Sequence, residues 1–203
     1  MSEPTQMTWG GVRYSCTVVT ESQPAPSTII AFSQNDPLWR DQIYAHSFTF
    51  GKAGCLVVCV TMMVSTVYAE RILPPEVATN LNRAGAFVGD LLSRPSRIPD
   101  AYPRLIWEGV VHWRDKPADM AFIQSELLKA PLIAEVQWNP LGASPATGNQ
   151  HFIILESLIG DDANIIDPWD GETKLLSESR FALPGWNASR TITGLRLVRP
   201  KEG

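Results

Sequence analysis

The segment FGKAGCLVVCVTMMVSTVYAE, residues 50–70, decides how this chain is read. A glycine-relieved turn from Gly51 to Gly54 delivers Cys55 to an apolar run that carries no charge until Glu70. Glycine permits the close backbone approach such a turn needs, and the length and apolarity of the run predict a buried helix. A cysteine at a helix N-terminus meets unpaired N–H groups and the positive end of the macrodipole, and both favour the thiolate. That is where a nucleophile belongs. A free cysteine in an apolar run also serves as a small buried hydrophobe, so Cys55 has to be weighed with the rest of the chain.

With 203 residues, the chain has the length of one ordinary domain with a small appendage. Its 44% hydrophobic and 19% charged residues lie near globular averages, which excludes general disorder and predicts a folded soluble protein. A net charge of -4 without a Lys/Arg block leaves no electrostatic footprint for nucleic acid or an anionic membrane surface. Residues 55–69 fall short of the ~20 apolar residues a bilayer requires, so no membrane insertion is expected. The opening MSEPTQMTWGG has no basic stretch followed by an apolar one, so a cytoplasmic location is expected. Cys16, Cys55 and Cys59 are too few for a disulfide framework and are expected as reduced thiols. Cys55 and Cys59 lie one helical turn apart with no histidine or acid at ligand spacing, which predicts neither a metal site nor a cofactor.

Residues 1–28 read as an N-terminal extension or arm in which only 12–20 has strand character, and residues 29–203 read as the domain. Residues 29–32 read as a short strand, followed by a turn at Asn35, Asp36 and Pro37. Pro74 and Pro75 open a helix that Gly85 can end. Residues 93–103 form a proline-punctuated loop, and 105–113 fit either a short helix or a strand. Residues 118–129 are helical in spacing and stop at Pro131. Strands are expected at 132–138, 151–158, 164–167 and 195–198, with a hairpin turn at Gly160, Asp161 and Asp162. The Pro/Gly-rich loop 139–150 is placed to act as a lid over a cleft. Helices gather early and strands late, which predicts an α+β fold with a central buried helix packed on a C-terminal antiparallel sheet.

His151 is the best candidate for a base among the three histidines, because it opens a strand directly after a long polar loop. His46 and His112 have no distinctive setting. Asp167 ends the next strand, and adjacent antiparallel strands can set a carboxylate beside an imidazole; an Asp before Pro is also an ordinary turn starter. Gln34 has a side-chain amide able to donate to an oxyanion beside the Cys55 N–H. Trp39, Trp107, Trp113, Trp138 and Trp169 flank these segments as core residues or cleft walls.

In order, FSQNDPLW, FGKAGCLVVCVTMMVS, HFIILES and IIDPWDGE resemble the peptidase C39-like family of the papain-like cysteine peptidases across residues 32–171. The resemblance implies a papain-like fold with Cys55 as nucleophile, His151 as base, Asp167 as its orienter and Gln34 as oxyanion donor. It further implies a cysteine peptidase or amide hydrolase, with a peptide or protein as substrate. Family members are often exported and some carry an attached transporter; neither feature is visible here, so specificity for double-glycine leaders is not carried over. The competing readings are a catalytically silent binding or structural module on the same scaffold and a cell-wall amidase or transferase.

Overall fold

In the computed structural model, the described residues are 6–9, 12–15, 29–113, 116–137, 150–182 and 187–201. Strands β1 (Gln6–Trp9) and β2 (Val12–Ser15) pair antiparallel, with Gln6 opposite Ser15. The remainder is α+β. Strands β3 (Leu105–His112), β4 (Leu132–Gln137), β5 (Gln150–Ile159), β6 (Asp162–Asp167), β7 (Glu172–Leu175) and β8 (Ile192–Pro200) form a six-stranded sheet in the order β3-β8-β4-β5-β6-β7. Every neighbouring pair is antiparallel.

Both faces of this sheet are covered, which explains why its central strands read as unbroken apolar runs. On one face Ile133, Ile154, Ile166 and Val198 join the core built on helices α1 (Phe50–Ala53), α2 (Cys55–Tyr68) and α3 (Pro74–Arg83) and the short helix α4 (Ile98–Ala101). On the other, Ala134, Val136, Ile153, Leu155, Ile165 and Leu195 pack with Ile123 of helix α5 (Met120–Leu127) and with Ala188 of helix α6 (Ala188–Thr191). All residues of α2 from 57 to 65 are buried. A helix apolar all round belongs in a core, so the expected central helix is found where its composition puts it.

The expected glycine turn is in fact a short helix, α1, joined to α2 through Gly54 at φ -78° and ψ -1°. A Cβ on Gly54 would stand 2.6 Å from the Phe50 carbonyl oxygen and 2.8 Å from its Cα. Only glycine lets the chain turn back on Phe50 and restart as α2 at Cys55.

The stretch expected at 105–113 forms strand β3 over Leu105–His112, with a bulge between Trp107 and Gly109 where Gly109 takes φ +128°. The bulge interrupts the alternation, which is why spacing alone left this stretch ambiguous. The strand expected at 29–32 does not form. That backbone instead spans from α2 to the turn after β6: Ile30 N donates to Thr66 Oγ1 at 3.2 Å and Gln34 N to the Pro168 carbonyl at 2.5 Å. Its apolar side chains reflect burial in the α2 core rather than sheet pairing. Strand β7 was not anticipated, because ETKL carries no alternating pattern. The remainder of the expected arm strand and the lid loop, residues 16–20 and 139–149, lie outside the described residues.

Gly54→Ala is expected to cost about 1–3 kcal/mol of stability, the range for forcing extra volume into a packed site. Urea unfolding followed by circular dichroism measures it, and an unchanged midpoint would refute the steric account.

Candidate active site

Each sequence-predicted residue arrives on a different element. Cys55 is the first residue of α2, His151 is the second residue of β5, and Asp167 is the last of β6. Gln34 lies in the segment that crosses the turn after β6. The β5/β6 register places Ile154 opposite Ile166, so Asp167 is a diagonal neighbour of His151 on the same sheet face. His151 Nε2 lies 2.8 Å from Asp167 Oδ1, and both side chains are buried. The Cys55 thiol hydrogen-bonds the His151 ring. Gln34 is buried, and its Nε2 donates to the Gly51 carbonyl at 3.1 Å. A primary amide carries two hydrogens on nitrogen, so one remains after that bond. Gln34 Oε1 is buried without a hydrogen-bond partner among the described residues.

Cys55, His151 and Gln34 line a cleft of about 670 Å³ whose walls include Tyr44, Leu56, Leu92, Gln150, Phe152 and Trp169. Burial acts to raise the Cys55 thiol. The hydrogen bond from His151, the imidazolium charge and the N–H groups of Phe152 and Leu56 outweigh it, so the thiol sits below its ordinary value. Burial likewise opposes protonation of His151, but the hydrogen bonds to Asp167 and Cys55 and the charges of both raise it to about 9. Asp167 is held low: burial is outweighed by the His151 bond and charge, the Trp169 N–H and the Arg180 guanidinium. Cys59, one turn deeper, is pushed well above an ordinary thiol by burial and by the charges of Cys55 and Asp167. The arrangement therefore favours a thiolate–imidazolium pair at Cys55 and His151 and a neutral thiol at Cys59.

The linkage to stability has opposite signs at the two partners. The contribution of His151 is fully present below its unfolded value near ~6.5 and is lost as pH rises through about 9. The contribution of Asp167 is present above its unfolded value near ~3.9 and is lost as pH falls below it.

The turn Asp167–Gly171 clasps the Gln34 segment. Trp169 O accepts from Ser33 Oγ and from Asn35 Nδ2, both at 2.8 Å. Gly171 has φ +77°, and a Cβ there would lie 3.1 Å from Phe32 C and Ser33 N. The opposite wall is latched by Asp90, whose Oδ1 accepts from the N–H groups of His46 at 3.1 Å and Phe48 at 2.9 Å, and also from Ser47 N. These bonds lower the Asp90 carboxyl to about 2. Tyr44 spans from the latch to α1, donating its hydroxyl to Ala53 O at 3.0 Å and approaching Asp90 O at 3.3 Å.

Sequence reasoning missed the segment behind the pair. Phe181 stacks on the His151 ring, centroids 5.0 Å apart and planes at 24°, and Arg180 Nε lies 3.6 Å from Asp167 Oδ2. Nothing local marks either residue, because their relation to His151 is created by the path of the chain after β7. Among the tryptophans, Trp39 and Trp113 are core, Trp107 packs against the core, and Trp169 lines the cleft; Trp138 lies outside the described residues. Among the described residues no cluster of three His, Cys, Asp or Glu groups could hold a metal ion, and no helix is long and apolar enough to cross a membrane. Comparison with protein-family models, curated proteins and solved structures gave no match.

Asp90→Ala is expected to abolish protection of the 46, 47 and 48 amides in hydrogen exchange while leaving the β5 amides protected. Equal protection in wild type and variant would show that the carboxylate does not hold this wall.

Proposed function

We propose that this chain is a papain-like cysteine hydrolase of the peptidase C39-like kind, cleaving a peptide or related amide bond through a thioester. One observation carries the reading: the Cys55 thiol, at the head of a buried helix and lining a cleft, is hydrogen-bonded to an imidazole whose Nε2 lies 2.8 Å from a buried carboxylate. A thiol, a base and a group orienting that base form the working set of a nucleophilic acyl transfer. The order of the four motifs in the sequence supports the same family.

In this reading the Cys55 thiolate attacks the substrate carbonyl carbon, forming a C–S bond and an oxyanion. The second Nε2 hydrogen of Gln34 and the Cys55 N–H stabilise that oxyanion. As the C–N bond breaks, the His151 imidazolium gives its proton to the departing amine, leaving a thioester on Cys55 and a neutral imidazole. His151 then takes a proton from water, whose oxygen attacks the thioester carbonyl; the C–S bond breaks and the thiolate–imidazolium pair returns. Asp167 keeps the ring oriented and its charge compensated throughout. Buried Gln34 Oε1, unpartnered among the described residues, is available to accept from a substrate amide.

The test is iodoacetamide alkylation across pH, mapped by peptide mass spectrometry so that Cys16 and Cys59 serve as internal references. Cys55 is expected to react well below pH 8, His151→Ala to remove that acid-side reactivity, and Cys59 to stay inert. If Cys55 titrates as an ordinary thiol in both proteins, the hydrolase reading is wrong and the scaffold is a silent module. With a turned-over peptide in hand, Gln34→Ala is expected to lower kcat by about 10²–10³, the effect of losing one oxyanion donor. Its Cys55 alkylation profile should be unchanged. A change in alkylation with no change in kcat would exclude Gln34 from the oxyanion site.

A further inference from the structure

A thiolate at Cys55, an imidazolium at His151 and a carboxylate at Asp167 sum to one excess negative charge in a largely buried place. Asp167 is only 2% exposed, and an uncompensated charge at such depth is costly. Ionisable groups face it from several elements: His151 on β5, Cys55 and Cys59 on α2, Lys174 on β7, Asp170 in the turn, and Arg180. Lys174 is engaged elsewhere, with Nζ 2.7 Å from Asp170 Oδ2 and 3.5 Å from Glu172 Oε2. Cys59 is neutral for the reason given above. Arg180 lies in ion-pair contact with the carboxylate oxygen that His151 does not use, Oδ2 at 3.6 Å.

The guanidinium is itself held. It lies 4.3 Å from the ring centroid of Trp169, a cleft wall, and 5.1 Å from that of Phe181. Phe181 is fully buried and stacks on His151. Its backbone N–H donates to Ser179 Oγ at 3.2 Å, and Ser179 Oγ donates in turn to the Leu176 carbonyl at 2.6 Å. The turn after β7 thus presents two consecutive side chains to the site, an aromatic face under the imidazole and a cation beside the carboxylate.

We propose that Arg180 is a positioning residue of the catalytic set: its charge balances the Cys55–His151–Asp167 array, and its stacking ties Asp167 to the Trp169 wall. This rests on reading Cys55 as the activated nucleophile. Because Arg180 favours negative charge at Asp167 and at Cys55, its removal makes the thiolate harder to form, so reactivity is lost on the acid side of the profile. A residue that served only to pack the turn would lower stability without changing the shape of that profile.

The experiment is the pH profile of Cys55 alkylation by iodoacetamide in the full-length wild type, Arg180→Gln and Arg180→Lys, each with its melting temperature. Arg180→Gln is expected to lower acid-side alkylation on the order of tenfold, the equivalent of one pH unit, and Arg180→Lys to recover most of it by restoring the charge. An unshifted Arg180→Gln profile, or a lysine variant displaced as far as the glutamine variant, overturns the proposal while leaving the nucleophile intact. If Arg180→Gln does not fold, Arg180→Met, which keeps an apolar stem and removes the charge, takes its place: a displaced profile recovered by lysine supports the role of charge, and an unshifted one overturns it. Absence of acid-side reactivity in the wild type defeats the reading of Cys55 itself, and the role of Arg180 falls with it.

Discussion

Helix α2 lies against the face of β5, and that contact sets where everything else can be. Residues 57–65 are buried without a break, and α2 packs against strands β5, β8 and β4, which bring Ile154, Val198 and Ile133 to the same core. Close packing allows such an interface little freedom to slide, since each methylene displaced leaves a void or a clash. The head of the helix is thereby fixed beside the start of β5, which brings the Cys55 thiol to the His151 imidazole. Gly54 allows this by removing the one Cβ that would strike the Phe50 backbone.

The sheet edge adds the second constraint. Because β5 and β6 are antiparallel neighbours, His151 and Asp167 meet on the face that carries Ile153 and Ile165, opposite the one packed against α2, and the Cys55 thiol reaches the imidazole at the start of β5. The turn that follows Asp167 does two things at once: its Trp169 N–H donates to Asp167 Oδ1 at 2.9 Å, and its carbonyls and Gly171 hold the segment bearing Gln34. Carboxylate and amide are consequently positioned by one five-residue turn, so neither can shift without the other.

A second buried carboxylate stands near the same cleft. Glu135 is fully buried and receives Gln150 Nε2 at 3.1 Å, Thr193 Oγ1 at 3.4 Å and Arg196 Nη2 at 2.8 Å. Ion pairs of this depth contribute little net stability, because desolvation offsets their attraction. Their consequence here is geometric: Gln150, which lines the cleft and immediately precedes His151, is tethered to the central strand β4.

The α+β class, the central helix and most strands were legible because they depend on local information: an uncharged apolar run, proline and glycine punctuation, and apolar strands. Cys55, His151 and Asp167 stood out in the sequence because each sits at an element end, where polar residues interrupt an apolar pattern; Gln34 lies in a segment without helix or strand and stood out only by its neighbours. The strand expected at 29–32 failed because apolar composition reports burial and does not say what the backbone pairs with; here the partners are Thr66 and Pro168. Arg180 and Phe181 were invisible for a different reason. An exposed-type residue followed by an aromatic is ordinary in sequence, and only the return of the chain after β7 brings them behind His151. The sequence by itself determined which chemical groups the chain possesses and which segments must be buried, since both follow from composition and spacing. Tertiary structure alone decided which charges face one another, because electrostatic balance depends on distances between residues far apart in the chain.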